Sequence, residues 1–189
     1  MGGMATLLHL HDWPDRAVIG TVGRPGSRTF YLQARTGRRL TSVAMEKQWA
    51  ATLAEKIDEI LDELMTLDGN RYSVPAEAFA ELVDADPVEQ PVEEDFRLGQ
   101  MRLHFDKATG QIVVEAFPLV EVESEEEAER LAAEDPEPEE AMVLRMPVGT
   151  ARAFAERARR VVAQGRPACP RCGEPMDPDG HDCPAAPSW

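Results

Sequence analysis

Every cysteine of this chain lies in one short C-terminal window, as Cys169-Pro170-Arg171-Cys172 and His181-Asp182-Cys183. Cys-x-x-Cys supplies two thiolates from one tight turn, and Cys172-Gly173 lets backbone amides point at sulfur. Zinc takes four such soft or borderline ligands in a tetrahedron. Cys169, Cys172, His181 and Cys183 are therefore the candidate ligands of a zinc knuckle, with Pro175, Asp177, Pro178 and Gly180 making the intervening loop turn-rich. The His-x-Cys spacing is tighter than usual, so His9, His11, a carboxylate or another chain are alternatives for the fourth position. A knuckle closed by four side chains has no open coordination site, which points to structural rather than catalytic zinc. A redox dithiol at Cys169 and Cys172 lacks the strand-to-helix context it needs.

No other constellation marks out a reaction. The chain has no Gly-x-Ser-x-Gly, no P-loop and no His-Glu-x-x-His. Gly20-Thr21-Val22-Gly23 reads as a hairpin approach rather than a phosphate loop, because Pro25 lacks an amide donor and a strand follows. His104, in Leu103-His104-Phe105, is either a core histidine or on an open strand face, with no visible catalytic partner.

The arginines are more organised. Residues 16–39 hold six arginines and no acid, and residues 152–171 hold six more opposed only by Glu156. Arg24, Arg28, Arg35, Arg38 and Arg39 beside Tyr31 and Gln33, taken as exposed, could follow a phosphate backbone and stack a base. The competing reading is a solvated face or an internal clamp for acidic loops. Those acids are concentrated. Segment 84–95 carries six and no base, segment 121–140 carries eleven and one base, and without them the chain would sum to +1 instead of −15. Both segments are proline-punctuated and read as solvated loop, or as an acidic arm for a basic surface of this chain or of a partner.

These residues sit on a chain that reads as one unit written twice. Displacing the sequence by 101 residues lays Met45 on Met146, and Ala50, Leu53, Ala54, Ile60 and Leu61 then fall on Ala151, Phe154, Ala155, Val161 and Val162. Each half reads strand, strand, strand, helix. The fold class is α+β, with two pseudo-symmetric βββα repeats, antiparallel sheets each covered by a helix, and a small C-terminal zinc knuckle. Residues 1–83 form the first repeat, 84–95 an acidic linker, 96–165 the second repeat with an acidic insertion at 121–140, and 166–189 the metal-binding tail. Trp49, Leu53, Ile57, Ile60, Leu61 and Leu64 recur at helical spacing, and Asp68-Gly69-Asn70 stops that helix. A short helix is predicted within 75–83. The last helix spans about 150–163, capped at Gly149 or Thr150 and stopped at Gly165.

No apolar run is long enough to span a bilayer, and the N-terminus lacks the basic and apolar stretches of a secretory signal. A cytoplasmic, reducing location follows, where clustered cysteines favour metal over disulfides.

The segments 20–34 (GTVGRPGSRTFYLQA) and 42–47 (SVAMEK), with the tail Cys-Pro-x-Cys-Gly…Asp-Pro-Asp-Gly-His-x-Cys-Pro, resemble the actinobacterial domain-of-unknown-function family 3090 over nearly the whole chain. That resemblance implies no activity. It implies a pathway shared with a histidine-phosphatase-like and a lipid-kinase-like protein, either of which would be a protein partner. The doubled strand-and-helix unit is also similar in outline to Pur-alpha and Whirly single-strand-binding repeats, which have four strands each. Three functions follow: a non-enzymatic binding or adaptor protein with structural zinc, a single-stranded nucleic-acid binder, or an enzyme with a site between the repeats.

Overall fold

A computed structural model describes residues 7–24, 26–134, 136–164, 169–173 and 183–185. The first half holds β1 (Leu7–Asp12), β2 (Arg16–Val22), β3 (Thr29–Thr36), β4 (Arg39–Met45) and helix α1 (Lys47–Met65). The second holds β5 (Phe96–Asp106), β6 (Gln111–Pro118), α2 (Glu125–Glu134), β7 (Glu140–Pro147) and α3 (Val148–Ala163). The fold is mixed α+β, and its seven strands follow the order β1-β7-β6-β5-β4-β3-β2.

This corrects the expectation of two purely antiparallel sheets. The meanders β2-β3-β4 and β5-β6-β7 are antiparallel within themselves, but β4 meets β5 in parallel, and so does β1 meet β7. The β4–β5 junction is short, pairing only Val43 with Phe96 and Ala44 with Arg97. β1 was not foreseen as a strand, since its partner, starting at Glu140, lies at the far end of the chain.

The sheet must curl. β1 and β2 stand at opposite ends of the strand order, yet only Trp13, Pro14 and Asp15 join them. Four Cα steps reach at most roughly 14 Å, whereas the edges of a flat seven-stranded sheet lie about 29 Å apart. The linker is stitched to the strand beside each edge: Trp13 N donates to Arg145 O of β7 at 3.2 Å and Asp15 N to Arg35 O of β3 at 2.8 Å. His11 completes the closure. It is 1% exposed, and its two ring nitrogens bond the hydroxyls of Thr36 on β3 and Thr41 on β4, each at 2.8 Å.

One core follows, not two. Ile19, Leu32, Met45, Ile112, Leu144 and Met146 from the strands form a single buried cluster with Leu53, Ile57 and Leu61 of α1 and Phe154 of α3. The helices pack directly on each other. Ala151, Ala155 and Ala158 keep the buried stripe of α3 thin enough for that close approach.

Three local expectations are revised. Only a single 3-10 turn, Ala80–Leu82, forms within 75–83. α3 begins at Val148, just after Pro147, not at Thr150. The 121–140 insertion contains a helix rather than loop alone. Ser124 Oγ accepts from Glu127 N at 3.1 Å while Glu127 Oε2 accepts from Glu123 N at 2.9 Å, close to a capping box, and Glu125 to Glu127 favour the positive N-terminal end.

Candidate metal centre

The described part of the tail begins with the turn Cys169 to Gly173. Gly173 N donates to Cys169 O at 2.8 Å, and Gly173 adopts φ +76°, a conformation open to glycine at little cost. The turn aims amides at sulfur, with Arg171 N lying 3.4 Å from Cys169 Sγ. Backbone hydrogen bonds from Cys172 and Arg171 hold the Cys169 thiol below its ordinary range, favouring the thiolate that binds metals. Cys183 returns to this turn with its Sγ 3.8 Å from Cys169 Sγ, and all three Sγ atoms lie within 4.8 Å of one another. Cys169, Cys172 and Cys183 form no disulfide. Three convergent sulfurs could hold a metal ion. His181 lies outside the described residues. The alternatives His9 and His11 are engaged elsewhere, His9 with Glu140 at 2.9 Å and His11 with its two threonines.

The arginines read as a nucleic-acid face are divided. Arg24 and Arg28 lie by the β2–β3 hairpin, with Arg28 stacked over Phe30 at 5.2 Å, whereas Arg38 and Arg39 lie at the opposite end of β3. Arg35 is paired with Glu89 at 3.2 Å and lies 3.9 Å from Asp15. Tyr31 is half-buried. Gln33, expected to be exposed, is buried.

What covers that face is the segment expected to be a solvated acidic linker. Gln33 exchanges two hydrogen bonds with the backbone of Glu89, and Asp95 grips Ser42 through both backbone and side chain, each at 2.8 Å. Arg16 donates to Asp84 and to the carbonyls of Asp86 and Pro87. Val88 is 3% exposed and sits so close to β2 that a Cβ on Gly20 would overlap its Cγ1. The 84–95 stretch is thus a strap over this chain's own basic face, the internal-clamp alternative.

Two buried arginines of α3 were not singled out by sequence reading. Arg152 reaches Asp58, Asp62 and the Pro75 carbonyl, and Arg157 reaches the Ile19 carbonyl and Asp84. The signal was partial: Arg152 sits between Ala151 and Ala153, and Arg157 precedes Ala158, on a helix stripe that is otherwise small and apolar. Hydrogen bonding from Arg16, chiefly, holds the Asp84 carboxyl below its usual range. His104 lies exposed on its strand and lines neither the cleft between β2 and α3 nor the one between α1 and α3. No helix among the described residues is long and apolar enough to cross a membrane.

Residues 9–183 match the model of a family described as a protein of unknown function, DUF3090. No curated protein and no solved structure matches the chain.

Proposed function

The chain belongs to the DUF3090 family, and from that premise we propose a non-enzymatic binding or adaptor protein whose C-terminal tail is closed by a structural zinc. The carrying observation is the 3.8 Å separation of Cys169 Sγ and Cys183 Sγ. Two thiolates at about 2.3 Å from one tetrahedral zinc stand about 3.8 Å apart, well beyond the roughly 2.05 Å of a disulfide. Cys169, Cys172 and Cys183 supply three ligands, and His181 the fourth. Bound there, zinc contributes folding energy to a tail too short to build an apolar core. Reduced thiols this close together suit a reducing compartment, the cytoplasm.

A protein partner is supported by the apolar side chains on the terminal strand. Leu8 and Leu10 share one face of β1 by alternation and are 51% and 37% exposed, and Trp13, just beyond, is 64% exposed. A single-stranded nucleic-acid ligand has less behind it, because Arg35 is taken by Glu89 and the remaining arginines divide between the two ends of β3.

We also read β2–β4 with α1 and β5–β7 with α3 as copies of one unit placed side by side, at 1–83 and 96–165. The parallel β4–β5 contact has its counterpart where β7 meets β1. Because the core is shared, neither copy is expected to fold alone. A fragment 1–83 that unfolds cooperatively by itself would count against this arrangement.

The test is purification of the full chain from its native cells, with metal and partner analysis of the same sample. One zinc per chain and a stoichiometric protein, lost on Leu8→Asp with Trp13→Ala, are expected. Zinc-free protein overturns the site, and a partner retained by the double variant overturns the β1 surface.

A further inference from the structure

A cleft of about 350 Å³ opens between β2, the start of the strap and the end of α3; Gly20, Thr21, Val88, Arg157, Arg160 and Gln164 line it. Its volume lies near the small end of the range for small-molecule sites. One wall is a fixed cation. Arg157 is 6% exposed, its Nε donates to Ile19 O at 2.8 Å, and its Nη1 serves the backbone carbonyl and, at 3.3 Å, the carboxylate of Asp84. Among the described residues, Nη2 has no acceptor. It lies 3.4 Å from the point a Cβ on Gly20 would occupy, a point that Val88 Cγ1 approaches more closely still, and all three residues line the cleft.

The charge at this point is incompletely compensated. Burial lowers the proton affinity of Arg157 by more than Asp84 restores, and Arg16 adds to the lowering. The Asp84 carboxylate already accepts from Arg16, Arg157 and the Asp86 amide. Arg160 brings a further guanidinium to the rim, bonded to Glu156 only through its Nε. An added anion would meet donors from several directions.

The donor pattern selects the anion. A planar carboxylate binds arginine best through a two-nitrogen fork. Both forks of Arg157 that include Nη2 are half occupied, one at Nε by Ile19 and the other at Nη1 by Asp84. A tetrahedral oxyanion can instead take one bond from Nη2 and others from separate groups. Val83, Val88 and Val161 on the cleft wall suit a small organic substituent.

The geometry points to a binding site for a small phosphate monoester, its phosphoryl oxygens on Arg157 and Arg160 and its organic part against the valines. This site is independent of the tail zinc and of the β1 surface, so it stands or falls without them.

Isothermal titration of the full chain at fixed ionic strength, with inorganic phosphate, phenyl phosphate and acetate, tests it. Both phosphates bind, the ester more tightly, and acetate binds roughly tenfold more weakly than inorganic phosphate. Arg160→Gln and Thr21→Val, checked by an unchanged thermal midpoint, each weaken phosphate severalfold. Arg157→Lys abolishes binding if it folds, and the two rim variants decide the matter if it does not. Absence of binding by either phosphate, equal affinity for acetate, or rim variants that bind like the parent would each overturn the site. Inorganic phosphate binding as tightly as the ester would overturn the monoester assignment.

Discussion

Gln33 and Glu89 hold each other as two paired strands would: Gln33 Nε2 donates to Glu89 O at 3.1 Å, and Glu89 N donates to Gln33 Oε1 at 2.7 Å. A side-chain amide here stands in for a peptide group and fastens an acidic strap to a sheet face. Gln33→Leu keeps the volume but takes these partners from the half-buried backbone of Glu89, which costs about 1 kcal/mol. Urea unfolding measures the loss, and hydrogen exchange localises it to 84–95. Unchanged exchange in that segment would refute the strap.

Asp84 joins the strap to both β2 and α3 through Arg16 and Arg157. Asp84→Asn leaves the buried Arg157 without its carboxylate and is expected to cost about 3 kcal/mol. The folded-state carboxyl titrates below its usual value, so its contribution is present above about pH 4 and is lost as pH falls through the lowered value. The variant should lose stability at neutral pH and show a shallower decline in strong acid. Equal unfolding midpoints at neutral pH would remove Asp84 from that role.

His11 ties β1 to β3 and β4 across the closure of the sheet. Burial, followed by Arg39 and His9, lowers its pKa from 6.5 to about 4. The unfolded chain therefore binds the proton more readily, and stability declines as pH falls from 6.5 towards about 4. The full effect is of order 3 kcal/mol. His11→Gln should flatten the slope in that window whatever it does to stability at neutral pH. A slope preserved in the variant would place the titrating group elsewhere.

The tail makes a separable prediction. Cys169→Ser and Cys183→Ser are each expected to lose bound zinc, read by elemental analysis, while the near-neutral unfolding of the body changes by less than about 0.5 kcal/mol. Zinc kept by His181→Ala would remove only that residue from the ligand set. Zinc kept by the cysteine variants would remove the site.

Much of this was legible from local pattern. The spacing of Leu53, Ile57, Ile60, Leu61 and Leu64 specifies α1, Asp68-Gly69-Asn70 ends it with three consecutive positive φ values, and Asp106 to Gly110 turns the β5–β6 hairpin. Those signals act over a few residues. The register of β1 on β7 and the fate of the 84–95 acids depend on groups far away in sequence, and alternation alone does not say which strand lies alongside.

Local pattern suffices for the three cysteines and their turn, for α1 and α3, for the two meanders and for the two acidic segments, because each depends on neighbours along the chain. Only the tertiary structure decided that three linker residues must join opposite ends of the strand order, so that the sheet curls around one core. It alone placed Gln33 and Arg157 inside and laid Asp84, Val88 and Glu89 across them. The physical reason is that a buried arginine or amide is stable only with partners in place, and those partners came from segments brought near by sheet closure.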